Sequence, residues 1–209
     1  MDYGAFAKIS TTVFADLVDR AQVMDFRMRP LWSGGPRLAG PAYPVSCPPG
    51  DNLMFHASIY RAALGSVIVV EGGDCDFAIA GGNVCLAAQR FGVSGLIIDG
   101  VIRDAEEVRE ALFPVYARGL MPKPGVKKSL GTLATPVTCG GVQIALGDVV
   151  VADEEGIVIL PAADAPALLE RAVQADRDER AMTLDDWIDE HRTRIAGLLK
   201  EYGYREDEN

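Results

Sequence analysis

Two short stretches of the 209-residue chain hold residue types that could do chemistry together. In Gly81-Gly82-Asn83-Val84 the glycines let backbone approach a ligand closely, and the free amides of Asn83 and Val84 open a helix, which makes a cradle for a carboxylate or phosphate. In Gly100-Val101-Ile102-Arg103-Asp104-Ala105-Glu106-Glu107, Arg103 offers a planar cationic fork and Asp104 a hard oxygen ligand. An anion cradle, an arginine and a metal-binding carboxylate together suit a 2-oxo acid. Plainer uses stay open for each. Gly81-Gly82 fits a turn, Arg103 a surface ion pair, and Asp104 with Glu107 the D-x-x-E capping box of a helix start.

The two stretches meet only if each follows a parallel strand, because ligands of open α/β sheets sit beyond the carboxyl ends of such strands. The pattern supplies the strands. Val67-Ile68-Val69-Val70 and Gly95-Leu96-Ile97-Ile98-Asp99 are continuous apolar runs of the buried parallel type, and Pro114-Val115-Tyr116-Ala117 follows them. Helices are predicted from Asp51-Asn52 to a stop at Gly65, over about 83–90 with Gly92 as C′ residue, and over about 104–112. A capped amphipathic helix is expected from Ser10 to about Met24, and a short strand near 38–45. Beyond 134 the strands shorten, around 134–138, 142–144, 149–152 and 157–160, and read as hairpins of a second, mostly antiparallel sheet. From about 163 the composition is helical and charged. One α/β domain over 1–209, with a C-terminal helical arm, is the reading.

Composition removes several function classes. Net charge is −10 and basic residues form no run longer than Lys127-Lys128, which argues against nucleic acid as a partner. Charges break every apolar run before it could span a membrane, and Met1-Asp2-Tyr3-Gly4 lacks the marks of a secretory signal, so the cytoplasm is the expected location. Cys47, Cys75, Cys85 and Cys139 lack zinc-knuckle spacing and read as core or inert thiols. No G-x-G-x-x-G or G-x-S-x-G is present, and Gly119 to Ser129 has the wrong glycine spacing for a phosphate loop. His56 reads as a packing or hydrogen-bonded residue, and Lys123, Lys127 and Lys128 as a solvated loop.

From Gly50-Asp51-Asn52-Leu53-Met54 through Gly81, Gly92-Val93, Leu96-Ile97-Ile98-Asp99-Gly100, Arg103-Asp104, Phe113-Pro114-Val115 and Gly147-Asp148 to Asp153-Glu154-Glu155-Gly156, the chain resembles the RraA-like proteins. These include class II 4-hydroxy-4-methyl-2-oxoglutarate aldolases and related oxaloacetate decarboxylases. The core pattern is Gly82, twenty residues, Arg103-Asp104, two residues, Glu107. The resemblance implies an α-β-β-α sandwich of the swivelling β/β/α type, a homotrimer or hexamer with sites between subunits, and a divalent metal, Mg²⁺ or else Mn²⁺. By position it implies Asp104 as the direct metal ligand, Arg103 at the substrate's keto oxygen, and Gly81, Gly82, Asn83 and Val84 as the carboxylate cradle. It also implies a water-mediated metal contact from a neighbouring subunit's C-terminal helix, matched here by Glu179 and next by Asp176. Family aldolases carry an acid where this chain has Gly82, which leaves a poorer acidic shell; Asp74 and Asp76 are the candidates to compensate. The alternative the family offers is a non-catalytic regulator that binds RNase E or its helicases.

Overall fold

The computed structural model describes residues 1–204. Its elements, in chain order, begin with α1 (Tyr3–Ala7), α2 (Thr11–Ala15), β1 (Arg29–Pro30), β2 (Leu38–Ser46), α3 (Leu53–Ser58), β3 (Val67–Glu71) and β4 (Ala78–Ala80). Then follow α4 (Gly82–Arg90), β5 (Gly95–Ile102), α5 (Ala105–Glu110), β6 (Val115–Leu120), β7 (Thr132–Leu133), β8 (Val137–Cys139) and β9 (Val142–Ile144). The last are β10 (Val149–Asp153), β11 (Gly156–Leu160), α6 (Ala165–Ala181) and α7 (Leu184–Glu201).

The fold is mixed α/β. Strands β2, β3, β5 and β6 are parallel neighbours, as the apolar runs predict, and α3, α4 and α5 provide the crossovers. Alternation along each strand feeds two cores. Ile68, Val70, Leu96 and Ile98 pack with Phe55, Cys85, Val108 and Phe113, while Val67, Val69 and Ile97 pack with Val150, Ala152, Ile157 and Ile159.

The β10–β11 hairpin does not form a second sheet as expected. It joins the far edge of β2, antiparallel, with Ala39 opposite Val151, and the resulting nine-stranded sheet curls until β10 and β11 cover its own parallel half. Among the described residues only β8 and β9 form a separate two-stranded sheet. The predicted helix from Ser10 to Met24 is also broken. Ser10 caps it, but α2 ends at Ala15 and Asp19 starts a new 3₁₀ turn, accepting from Ala21 N–H while its own N–H donates to Gln22 Oε1. An Asp able to cap competes with continuation of the helix.

The chain divides into two compact units, Met1–Ala172 and Val173 onward, where the sequence reading has one domain with an arm from about 163. The body reaches as far as Ala172 because Ala165, Leu168 and Ala172 of α6 are buried. Buried Asp153 at the end of β10 fixes the N-terminal segment, accepting from Thr11 Oγ1 (2.6 Å), Thr11 N–H (3.0 Å) and Glu155 N–H (3.0 Å). No helix among the described residues is long and apolar enough to cross a membrane.

Candidate active site

The site is assembled where β4 and β5 end. Both strands are parallel, β4 hands the chain to α4 at Gly81, and β5 delivers Arg103 and Asp104 beside it, with Arg103 N–H donating to Ala80 O at 3.0 Å. Asp104 occupies the N-cap position of α5, yet its side chain caps nothing. Its backbone is left-handed, φ 58° and ψ 40°, a conformation costly for most L residues and tolerated best by Asp, Asn and Gly. The carboxylate turns back across the loop instead, and Gly82 N–H donates to Asp104 Oδ2 at 3.1 Å. Arg103 Nε lies 3.5 Å from the same oxygen. The capping-box reading of Asp104 and Glu107 therefore fails, and the two predicted loops do meet.

Both glycines are needed for this approach, and neither has positive φ. A Cβ on Gly81 would stand 2.7 Å from Asp104 Oδ2 and 3.2 Å from Arg103 Nε. A Cβ on Gly82 would fall inside the carboxylate of Glu107. Glu107, one helical turn beyond Asp104, thus fills the space a side chain at 82 would take. Its signal was in the sequence, three residues after Asp104, but the capping-box spacing gave it another reading.

A cavity of about 170 Å³ opens here, lined by Gly81, Asn83, Val84, Arg103 and Asp104, and also by Asn52, His56 and Lys127. The last three were not expected at the site. Asn52, at the start of α3, is held there by its Nδ2 donating to Ile79 O at 3.1 Å, while its buried Oδ1 has no partner among the described residues. His56 follows one turn later, and burial, with a smaller contribution from Lys127, pushes its imidazole down to about 4. Lys127 arrives on the loop after β6. Buried Asp51 pins that loop, accepting from Lys128 N–H at 2.6 Å and Ser129 N–H at 2.8 Å as well as from Leu53 N–H. Burial alone would raise the Asp51 carboxyl, but these donors hold it below its ordinary value.

Other expected residues lie elsewhere. Asp74 closes a turn by accepting from Asp76 N–H and Phe77 N–H, and lines a different cavity with Asp99, Arg118 and Cys75. It does not compensate at Gly82. Cys47, Cys85 and Cys139 are buried core thiols, and Cys75 is exposed, outside the core. Asp176 is engaged by Arg180 at 2.9 Å, and Glu179 is exposed on α6 in the second unit.

The donor set fits a hard cation of open coordination. Asp104 is about two-fifths exposed and spends one hydrogen bond on Gly82, and Glu107 is exposed beside it. No group of three or more His, Cys, Asp or Glu side chains that could hold a metal occurs among the described residues. Mg²⁺ needs no such cage, since it keeps several waters and is bound through one or two carboxylates plus substrate oxygens.

Fold and site together define a class. The chain belongs to the RraA-like family, whose model, described as Aldolase/RraA, matches residues 7–159. A Halalkalibacterium halodurans protein named "Putative 4-hydroxy-4-methyl-2-oxoglutarate aldolase" is 34% identical over 184 residues, 87% of each chain. A Thermus thermophilus protein named 4-hydroxy-4-methyl-2-oxoglutarate aldolase is 32% identical over 112 residues, 53% of this chain and 68% of its own. Among solved structures, Streptomyces coelicolor RraAS2, titled an unusual member of the RNase ES inhibitor RraA protein family, superimposes with TM-score 0.71 at 25% identity, covering 92% of this chain and 96% of its own.

Proposed function

We propose that this protein is a divalent-metal-dependent carbon-carbon lyase of pyruvate-derived 2-oxo acids, an aldolase of 4-hydroxy-4-methyl-2-oxoglutarate, a decarboxylase of oxaloacetate, or both. The observation that carries the reading is the Asp104 carboxylate drawn back onto Gly82 N–H beside Arg103, which gathers a carboxylate, a guanidinium and a helix-opening amide cradle at one cavity. Both reactions break the bond between the carbon next to the keto group and the one beyond it, and both leave negative charge on the keto oxygen.

The chain's own groups have definite parts in this. With Gly82 N–H held by Asp104, the amides of Asn83 and Val84 take the substrate carboxylate at the start of α4, where the helix dipole favours an anion and Gly81 leaves room for its approach. Arg103 faces the keto oxygen and stabilises the enolate as it forms, a preorganised interaction whose loss typically costs about 10²- to 10³-fold in rate. Asp104, with Glu107 over Gly82, would hold Mg²⁺ or Mn²⁺, which supplies Lewis-acid stabilisation of that developing charge. His56, uncharged above about pH 4, and Lys127 form the wall on which the rest of the substrate rests. Assembly as a homotrimer or hexamer in the cytoplasm would bring Glu179 of a neighbouring copy toward the site as a further acidic group to help hold the cation.

The test is pyruvate release from oxaloacetate and from 4-hydroxy-4-methyl-2-oxoglutarate, with and without Mg²⁺ or Mn²⁺. Activity abolished by EDTA and restored by either cation is expected; undiminished turnover after exhaustive chelation sinks the mechanism. A regulator of ribonucleases is the second reading, favoured by the likeness to a structure titled RNA-processing inhibitor RraA, from Thermus thermophilus, with TM-score 0.66 at 28% identity over 73% of this chain and 92% of that one. Absence of pyruvate release with either substrate, together with binding to an RNase E-type enzyme, would select it.

A further inference from the structure

Two cationic side chains line the cavity, Arg103 and Lys127, and they come from different elements. Arg103 is occupied with Asp104 and the keto oxygen. Lys127 is exposed and makes no ion pair among the described residues, whereas Lys123 of the same loop lies over the Phe77 ring, 4.0 Å from its centroid. Of the loop's three lysines only Lys127 lines the cavity.

Its backbone is fixed from both sides. Ahead of it, Ala78 N–H donates to Lys123 O at 2.8 Å, Gly125 N–H to Ala78 O at 3.1 Å, Val126 N–H to Gly50 O at 2.9 Å and Asn52 N–H to Val126 O at 2.8 Å. Behind it, buried Asp51 takes the amides of Lys128 and Ser129. Burying a carboxylate is costly, and this one is committed to consecutive amides of a surface loop, which sets where that loop carries its cation. A lysine held so, on a cavity whose other end takes one carboxylate, is placed for a second.

We infer that Lys127 selects the second carboxylate of the substrate and thereby ranks the two reactions, favouring aldol cleavage over decarboxylation; the inference rests on the 2-oxo acid reading above. In aldol cleavage the electron pair of the broken carbon-carbon bond passes to the pyruvate enolate, the hydroxyl loses its proton and becomes a keto group, and the second carboxylate keeps its charge on the departing pyruvate. Lys127 holds it equally before and during the reaction. In oxaloacetate the second carboxylate is itself the group that leaves, as neutral CO₂, and its charge passes to the enolate. A cation paired with it stabilises the substrate more than the transition state and so restrains the reaction.

Two probes that cannot react isolate the contact: 2-oxoglutarate, which is the aldol substrate without its hydroxyl and methyl, and 2-oxopentanoate, which has a methyl in place of the second carboxylate. Calorimetric titration of the full chain in Mg²⁺ should show 2-oxoglutarate held about 10-fold more tightly. Lys127→Met should bring it to the level of 2-oxopentanoate without changing the latter, and Lys127→Arg should keep most of the preference. In turnover, Lys127→Met should raise KM for 4-hydroxy-4-methyl-2-oxoglutarate about 10-fold with kcat nearly unchanged, while kcat on oxaloacetate holds or rises. Equal affinity of the wild type for the two probes, or a preference that survives Lys127→Met, overturns the selection. A fall in kcat on oxaloacetate overturns the ranking. Failure of the wild type to bind either probe overturns the 2-oxo acid reading itself, and this inference with it.

Discussion

The carboxylate of Asp104 reaches back over its own loop to take the N–H of Gly82, 3.1 Å away, and so ties the end of β5 to the start of α4. The left-handed backbone at Asp104 serves this bond, because a helical or extended φ would send the side chain elsewhere. Asp104→Ala should therefore remove both the proposed cation ligand and the tie between loops. Calorimetric titration with Mg²⁺ should show heat for the wild type and none for the variant; a variant with wild-type affinity would make Asp104 a purely structural residue.

Arg103→Lys tests the guanidinium separately. The charge stays but the planar fork is lost, so turnover should fall roughly 100-fold with metal affinity nearly unchanged. A wild-type rate would return Arg103 to the class of surface ion pairs.

Gly81→Ala introduces a single methyl 2.7 Å from Asp104 Oδ2 and close to Arg103. These two side chains are exposed enough to yield, so the melting temperature should move little while kcat/KM drops at least about 10-fold through misplacement of the pair. A variant that unfolds without such a loss would show that the glycine is needed only for folding.

Glu107 filling the space over Gly82 predicts compensation between the two positions. Glu107→Ala should weaken Mg²⁺ by about 10- to 100-fold, in the range of groups that act through a metal's outer shell. Adding Gly82→Asp to that variant returns a carboxylate to the same space and should recover much of the loss. In the wild-type background the new aspartate must first displace Glu107, so the gain there should be smaller. No recovery in the double variant would break the link between the two positions.

His56 should titrate near pH 4 in the folded protein. Its unfolded value lies near 6.5, so the unfolded chain binds more protons between these limits, and stability should be full above about pH 6.5 and decline as pH falls toward 4. NMR titration of the two histidines would check the value, and His56→Gln should flatten that part of the stability profile. A midpoint near 6.5 would mean an imidazole open to water rather than a wall of the cavity.

The parts legible in sequence are those set by local pattern. Continuous apolar runs mark β3, β5 and β6, and glycine with an apolar stop marks the end of α4 at Gly92, whose φ is 80°. The loops bearing Gly81 and Arg103 follow from the ends of such strands. What stayed hidden depends on distant partners. Pro41 and Pro44 make β2 look like an edge, since each lacks a ladder donor, and nothing local says that β10 will pair with it. Lys127 and His56 are ordinary residues of a loop and a helix until Asp51 draws the loop after β6 across the cavity.

The pairing of β2 with β10 also dictates an order of folding. Ala39 finds Val151 only after roughly 110 further residues have left the ribosome, and Thr11 waits longer still, 142 residues, for Asp153. During synthesis β2 therefore has one side open, an unpaired edge of the kind that recruits other chains. The same separation makes closure of the sheet a late, slow event, since loop closure precedes the contacts that reward it. A chain truncated before β10 would lose its beginning along with its end, for the N-terminal helices and the central strand have their partners there.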